Sequence, residues 1–125
     1  MNFLKKIFQN KQSTMENWKH ITEENQLESI RENSKSKPTV IFKDSVTCGI
    51  SAHAKHKLES AWDFENSELD FYYLDLLSYR NISNKIAQDF GVTHQSPQIL
   101  VLKDSKVVDH FSHQSISVER IRKAI

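Results

Sequence analysis

The apolar positions of this chain alternate between two periods, runs of strand type and stripes of helical type, and the switches between them mark its elements. Trp18-Lys19-His20-Ile21 reads as a short strand. Thr22 is an N-cap residue type with Glu23 and Glu24 after it, and Leu27 and Ile30 give the helix that follows an apolar stripe to about residue 32. A loop over 34–38 ends in Pro38, which enters a strand without needing an N–H partner; residues 39–42, Thr-Val-Ile-Phe, are that strand. From Cys48 the spacing turns helical, with Ile50, Ala54, Leu58, Ala61 and Trp62 on one face and His53, Lys55, His56 and Lys57 on a solvated one. Residues 71–76 form the next strand. A second amphipathic helix carries Ile82, Ile86, Ala87 and Phe90 and stops at Gly91. Strands at 98–102 and 106–111 make a hairpin across Asp104-Ser105, without the glycine such turns prefer. Ser115 or Ser117 begins a last helix with Ile116, Val118, Ile121 and Ile125 as its apolar positions.

The order is thus β-α-β-α-β-α-β-β-α. Helices between the early strands imply parallel pairing through right-handed crossovers, and the closing hairpin adds antiparallel strands. The expectation is an α/β thioredoxin-like fold, a mixed central sheet flanked by helices, in one domain over 16–125 behind a mobile arm over 1–15. In that arm Lys5 and Lys6 interrupt Phe3, Leu4, Ile7 and Phe8, so it holds neither a secretory h-region nor a bilayer span. Seventeen Lys and Arg against sixteen Asp and Glu leave no field to draw the chain to nucleic acid or anionic lipid. One cysteine excludes an internal disulfide scaffold. These features read as a cytoplasmic protein, monomeric, with no nucleic-acid or membrane partner.

That cysteine, Cys48, falls where a strand passes into a helix. A thiol at a helix N-terminus meets unpaired N–H groups and the positive end of the helix dipole, both of which favour thiolate. Its neighbours Ser45, Thr47, Gly49 and Ser51 are small or polar, as at an exposed turn rather than in a core. Ser51 stands where a dithiol motif would carry its resolving cysteine. As a candidate site residue it either donates to the thiolate or satisfies its own backbone, and the two roles are compatible. Downstream, Ser96-Pro97 precedes the strand at 98–102. A cis bond there is accessible at small cost and would leave the Ser96 backbone free to pair with an extended substrate. His53 and His56 do not make a metal site with Cys48, because Cys48 and His53 lie roughly 140° apart around the helix and no second thiol or carboxylate stands at ligand spacing. His94 is a candidate to approach Cys48 in space, a plain loop histidine being the simpler account.

Thr47-Cys48-Gly49-Ile50-Ser51, together with His94-Gln95-Ser96-Pro97-Gln98 and Ser112-His113, resembles the bacillithiol-system YtxJ family, the monothiol bacilliredoxins. The resemblance covers roughly residues 18–125. It departs at Gly49, where the family typically has proline. It implies Cys48 as the redox residue, Ser51 beside it, and Thr47, Gly49, Ser96 and Pro97 as the surface that docks the partner thiol. It also implies bacillithiol as co-substrate, no metal, and bacillithiolated proteins as clients. The general fold pattern places a buried acid near the end of the strand before the cysteine; Phe42 holds that place here, which argues against a proton relay from it.

The function expected is a monothiol thiol–disulfide oxidoreductase that removes bacillithiol from protein mixed disulfides through Cys48. The alternatives are a non-catalytic adaptor or a redox sensor, binding a protein partner beside Pro97.

Overall fold

The computed structural model describes residues 18–125; the arm expected over 1–15, and the start of the domain at 16, lie outside the described residues. Its strands are β1 (Lys19–His20), β2 (Thr39–Asp44), β3 (Asp70–Asp75), β4 (Gln98–Lys103) and β5 (Lys106–Ser112), and its helices are α1 (Gln26–Asn33), α2 (Gly49–Ala61), α3 (Arg80–Phe90) and α4 (Val118–Ala124). The sheet order is β1-β3-β2-β4-β5. β1 and β2 run parallel to β3, β4 runs antiparallel to β2, and β5 antiparallel to β4. This is the mixed sheet expected from the element order.

Alternation along β2 sends residues to two cores. Val40 and Phe42 face the side covered by α2 and α4, where Trp18, Trp62, Phe71 and Tyr73 supply much of the packing. Ile41 faces the opposite side with Leu74, Leu100, Ile82 and Ile86, under α1 and α3. Trp18 and Phe71 lie 4.4 Å apart between ring centroids and Trp62 and Phe71 4.7 Å, so the first core is an aromatic cluster of tilted, edge-on and stacked pairs.

Several boundaries differ from expectation for local physical reasons. Helix α1 starts later than Thr22: the Gln26 side chain reaches back and accepts from the Thr22 and Glu23 N–H groups at 2.7 and 2.9 Å, so the cap is supplied from inside the helix. Strand β2 runs two residues past Phe42, through Lys43 and Asp44, both buried. In α2 the inward positions are Ser51, Ala54 and Leu58, whereas Ile50 is 46% exposed and Ala61 is exposed. Ile50 therefore leaves the core face assigned to it, and Ser51 takes the first inward place. The hairpin turn closes without glycine because its tip is tied down. Asp104 and Ser105 adopt φ of 53° and 70°, and their N–H groups donate to the Ser34 carbonyl and hydroxyl at 2.9 and 2.8 Å. Ser117, not Ser115, caps the last helix and accepts from the Arg120 N–H at 3.0 Å.

Candidate active site

β2 delivers the chain to a short turn, and Cys48 becomes the N-cap of α2 with extended dihedrals, φ −98° and ψ 127°. Its N–H donates to the Ser45 carbonyl at 3.0 Å and its carbonyl accepts from Ala52 at 3.0 Å, so the backbone fixes the sulfur at the mouth of the helix. The side chain is partly exposed. The thiol pKa lies below its ordinary value, first because the Ser51 N–H bonds to the sulfur, then through the Ile50 N–H and, more weakly, the Ser51 hydroxyl. Partial burial and the Asp44 carboxylate push the other way. Ser51 is fully buried, and its hydroxyl oxygen also accepts from the Ser45 N–H at 3.3 Å. The hydroxyl thus braces the turn through Ser45 rather than satisfying its own backbone.

Strand pairing brings the second candidate element to the same end of the sheet. Lys43 of β2 is in register with Gln98 of β4, so Ser96-Pro97 enters beside the strand end that leads to Cys48. The Ser96-Pro97 bond is cis. Pro97 is buried, and its carbonyl accepts from the His113 N–H at 3.1 Å. Ser96 makes no backbone hydrogen bond among the described residues. Thr47 and Gly49 are exposed on the Cys48 side. A cleft of about 190 Å³ opens at the first turn of α2, lined by Gly49, Ile50, His53, His113 and Gln114.

Two buried charged residues at this end of the sheet escape a reading of the sequence. Asp44 is 2% exposed; its Oδ2 accepts from the Tyr73 hydroxyl, and its Oδ1 has no partner among the described residues. Burial holds the Asp44 carboxyl above the usual carboxylate range, against the opposing pull of the Tyr73 bond, and burial also raises the Tyr73 phenol. Phe42 itself is buried in the aromatic cluster, so the acid at this strand end stands two residues later than the fold pattern has it. Lys43 points to the other face and is fully buried, with its pKa lowered to about 8 by burial. The signal for both was the apolar run before them. Charged residues appended to a β-branched strand read as loop, yet here the sheet simply continues.

The histidines separate. His94 turns to Lys43 and Ser83, with its Nδ1 at 3.4 Å from the Lys43 Nζ and 3.3 Å from the Ser83 Oγ, and not to Cys48. His53 lines the cleft; His56 reaches the Ser60 hydroxyl at 3.4 Å on the outer face of α2. Among the described residues no group of three His, Cys, Asp or Glu side chains could hold a metal ion, and no helix is long and apolar enough to cross a membrane.

The family model of the monothiol bacilliredoxin BrxC matches residues 19–121. Among solved structures, the chain is 28% identical to a protein described as a candidate oxidoreductase with a thioredoxin fold, over 85% of this chain and 91% of that one, with a TM-score of 0.69. It is 23% identical to a thioredoxin of Fasciola hepatica, covering 86% and 99% of the two chains at a TM-score of 0.66. Against the short form of thioredoxin f from spinach chloroplast the identity is 19%, the coverage 85% and 91%, and the TM-score 0.63. The last two likenesses concern the fold.

Proposed function

This chain belongs to the monothiol bacilliredoxin family and is a thiol–disulfide oxidoreductase; from that premise we propose that Cys48 removes bacillithiol from the mixed disulfides of client proteins. The Cys48 thiolate attacks the bacillithiol sulfur of the client's disulfide. That S–S bond breaks, the client leaves as a thiolate and takes a proton from water, and Cys48 holds bacillithiol in a new disulfide. A second bacillithiol, as thiolate, attacks the bacillithiol sulfur of this adduct and releases Cys48 with bacillithiol disulfide as product. Two bacillithiol sulfurs end oxidised to each other and the client thiol ends reduced, so the electrons balance.

The observation that carries this reading is the pairing of a partly exposed, N–H-stabilised Cys48 with a fully buried Ser51 in the resolving position. A hydroxyl cannot displace a disulfide, so the adduct persists until an outside thiol arrives. Ser96, with its backbone groups unpaired among the described residues, supports the role of a docking strand beside Pro97. Thr47 and Gly49 complete the exposed surface around the sulfur. The reaction belongs in the cytoplasm, where small thiols are kept reduced, and needs only a monomer.

Intact mass spectrometry tests it. Reduced protein mixed with a bacillithiolated model protein is expected to gain one bacillithiol on Cys48 as the substrate loses it, and Cys48→Ala is expected to gain none. Substrate release without any adduct on Cys48 would overturn the mechanism.

A further inference from the structure

Lys43 is an expensive side chain to bury. Its ammonium, fully enclosed on the face of β2 shared with Ile41, meets no carboxylate among the described residues. It donates to the Ser83 carbonyl at 3.0 Å and to His94 Nδ1 at 3.4 Å. The Ser83 hydroxyl lies 3.3 Å from the same Nδ1. An ammonium has only donors, so Nδ1 must be the acceptor, and the imidazole carries its proton on Nε2 and is neutral. An apolar side chain of similar length would fill this place without any desolvation penalty.

The use of this arrangement lies in what His94 belongs to. It sits in the segment 93–97, and almost every residue there is held from inside the fold. The buried Gln98 donates through Nε2 to the Thr93 carbonyl at 3.0 Å and accepts from the Gln95 N–H at 3.4 Å. The Pro97 carbonyl is held by His113. His94 is held by Lys43 and Ser83. Ser96 alone in the segment has neither a backbone nor a side-chain hydrogen bond among the described residues. Because Lys43 is in register with Gln98, the anchor for His94 stands directly beside the point where the segment joins the sheet.

We propose that Lys43, Ser83 and His94 form a latch that sets the docking segment 93–97 in place, with His94 as a positioning residue for thiol exchange. This rests on the reading that Cys48 exchanges with a partner docked at Ser96-Pro97. The latch requires neutral His94. The charged groups that face it are Lys43 from β2 and Arg80 from α3, both cations. Protonation of Nδ1 would therefore remove the only acceptor and set three positive charges together, so the latch opens as pH falls.

The test compares two rates for each variant: alkylation of Cys48 by a small reagent, and exchange with the bacillithiol mixed disulfide of a model protein. His94→Ala is expected to slow exchange about tenfold while alkylation stays at the wild-type rate, because docking is disturbed and the sulfur is not. Amide hydrogen exchange at Gln95 and Gln98 is expected to quicken. His94→Asn places a non-titrating oxygen near the position of Nδ1, and is expected to restore exchange and to erase the acid-side fall in the ratio of exchange to alkylation, from which the shared titration of the Cys48 thiolate cancels. Lys43→Met is expected to slow exchange as His94→Ala does. Wild-type exchange in His94→Ala, an equal loss of alkylation and exchange, or an exchange-to-alkylation ratio that falls with acid in His94→Asn as in wild type would each overturn the latch. If the wild-type protein itself exchanges with no mixed disulfide, it is the functional reading that fails.

Discussion

Replacing Lys43 by methionine removes a fully buried charge. The Lys43 amine is fully buried and its pKa falls from 10.5 to about 8. At about 1.4 kcal/mol per pH unit, that depression disfavours the charged amine in the folded state by about 3 kcal/mol at neutral pH. Methionine keeps the length of the side chain and gives up the bonds to Ser83 and His94, worth about 1 kcal/mol each. Lys43→Met is therefore expected to be about 1 kcal/mol more stable than wild type near neutrality. The sign of the pH dependence follows from linkage. Between 8 and 10.5 the unfolded chain binds the proton and the folded one does not, so wild-type stability rises with pH across that window. The variant lacks this rise. Urea denaturation of both proteins in a series of buffers from about pH 7 to about pH 10.5 isolates the difference, since every other titrating group is shared. The gap between the two should move by about 3 kcal/mol in favour of wild type across the series. A gap that stays constant would refute the reasoning, because it would mean that the amine keeps its charge in the folded protein.

Two further substitutions probe the thiol's surroundings. Asp44→Asn keeps an acceptor for Tyr73 and removes a buried carboxylate that lies unfavourably for the thiolate. It is expected to lower the Cys48 pKa, read as thiolate absorbance. Because the raised Asp44 pKa makes wild-type stability fall as pH climbs out of the usual carboxylate range, the variant should lack that fall and be the more stable at neutral pH by urea denaturation; a higher Cys48 pKa would refute the assignment. Gly49→Pro places a proline at the first helical position. A Cβ there meets nothing within 4 Å, Cys48 already has the extended dihedrals a following proline demands, and the thiolate's main backbone donors are Ser51 and Ile50. The expected result is about 1 kcal/mol of added stability by urea denaturation with an unchanged thiolate titration, and destabilisation would show that the turn needs glycine.

The periodicities of the chain disclosed the sheet, its helices and the two segments that meet at the site, because each of those depends on local pattern. Phe42 before a turn, Cys48 before a helical stripe and Ser96-Pro97 before a β-branched run are all signals confined to a few neighbouring residues. What stayed hidden depends on partners distant in sequence. Lys43 and Asp44 read as loop because charge rarely ends a buried strand, and only Ser83, His94 and Tyr73, brought in by other elements, make them tolerable there. Ile50 matched the apolar stripe of its helix, yet the first turn of α2 leaves it exposed beside the cleft. The start of α1 was misplaced for a similar reason, since a glutamine reaching back four residues caps a turn as well as a threonine would.

Ser51 in place of a second thiol also governs what redox quantity this protein can respond to. A dithiol closes its disulfide within one molecule, so its oxidised fraction has a midpoint that belongs to the protein. With one cysteine in the chain, any disulfide of Cys48 contains another molecule's sulfur. Its occupancy by a small thiol then scales with the ratio of that thiol's disulfide to its reduced form and not with protein concentration. Disulfides between two copies of the chain, by contrast, grow with the amount of protein. Diluting the protein at a fixed thiol ratio therefore separates the two species, and the fraction that does not change is a direct readout of the surrounding thiol pool.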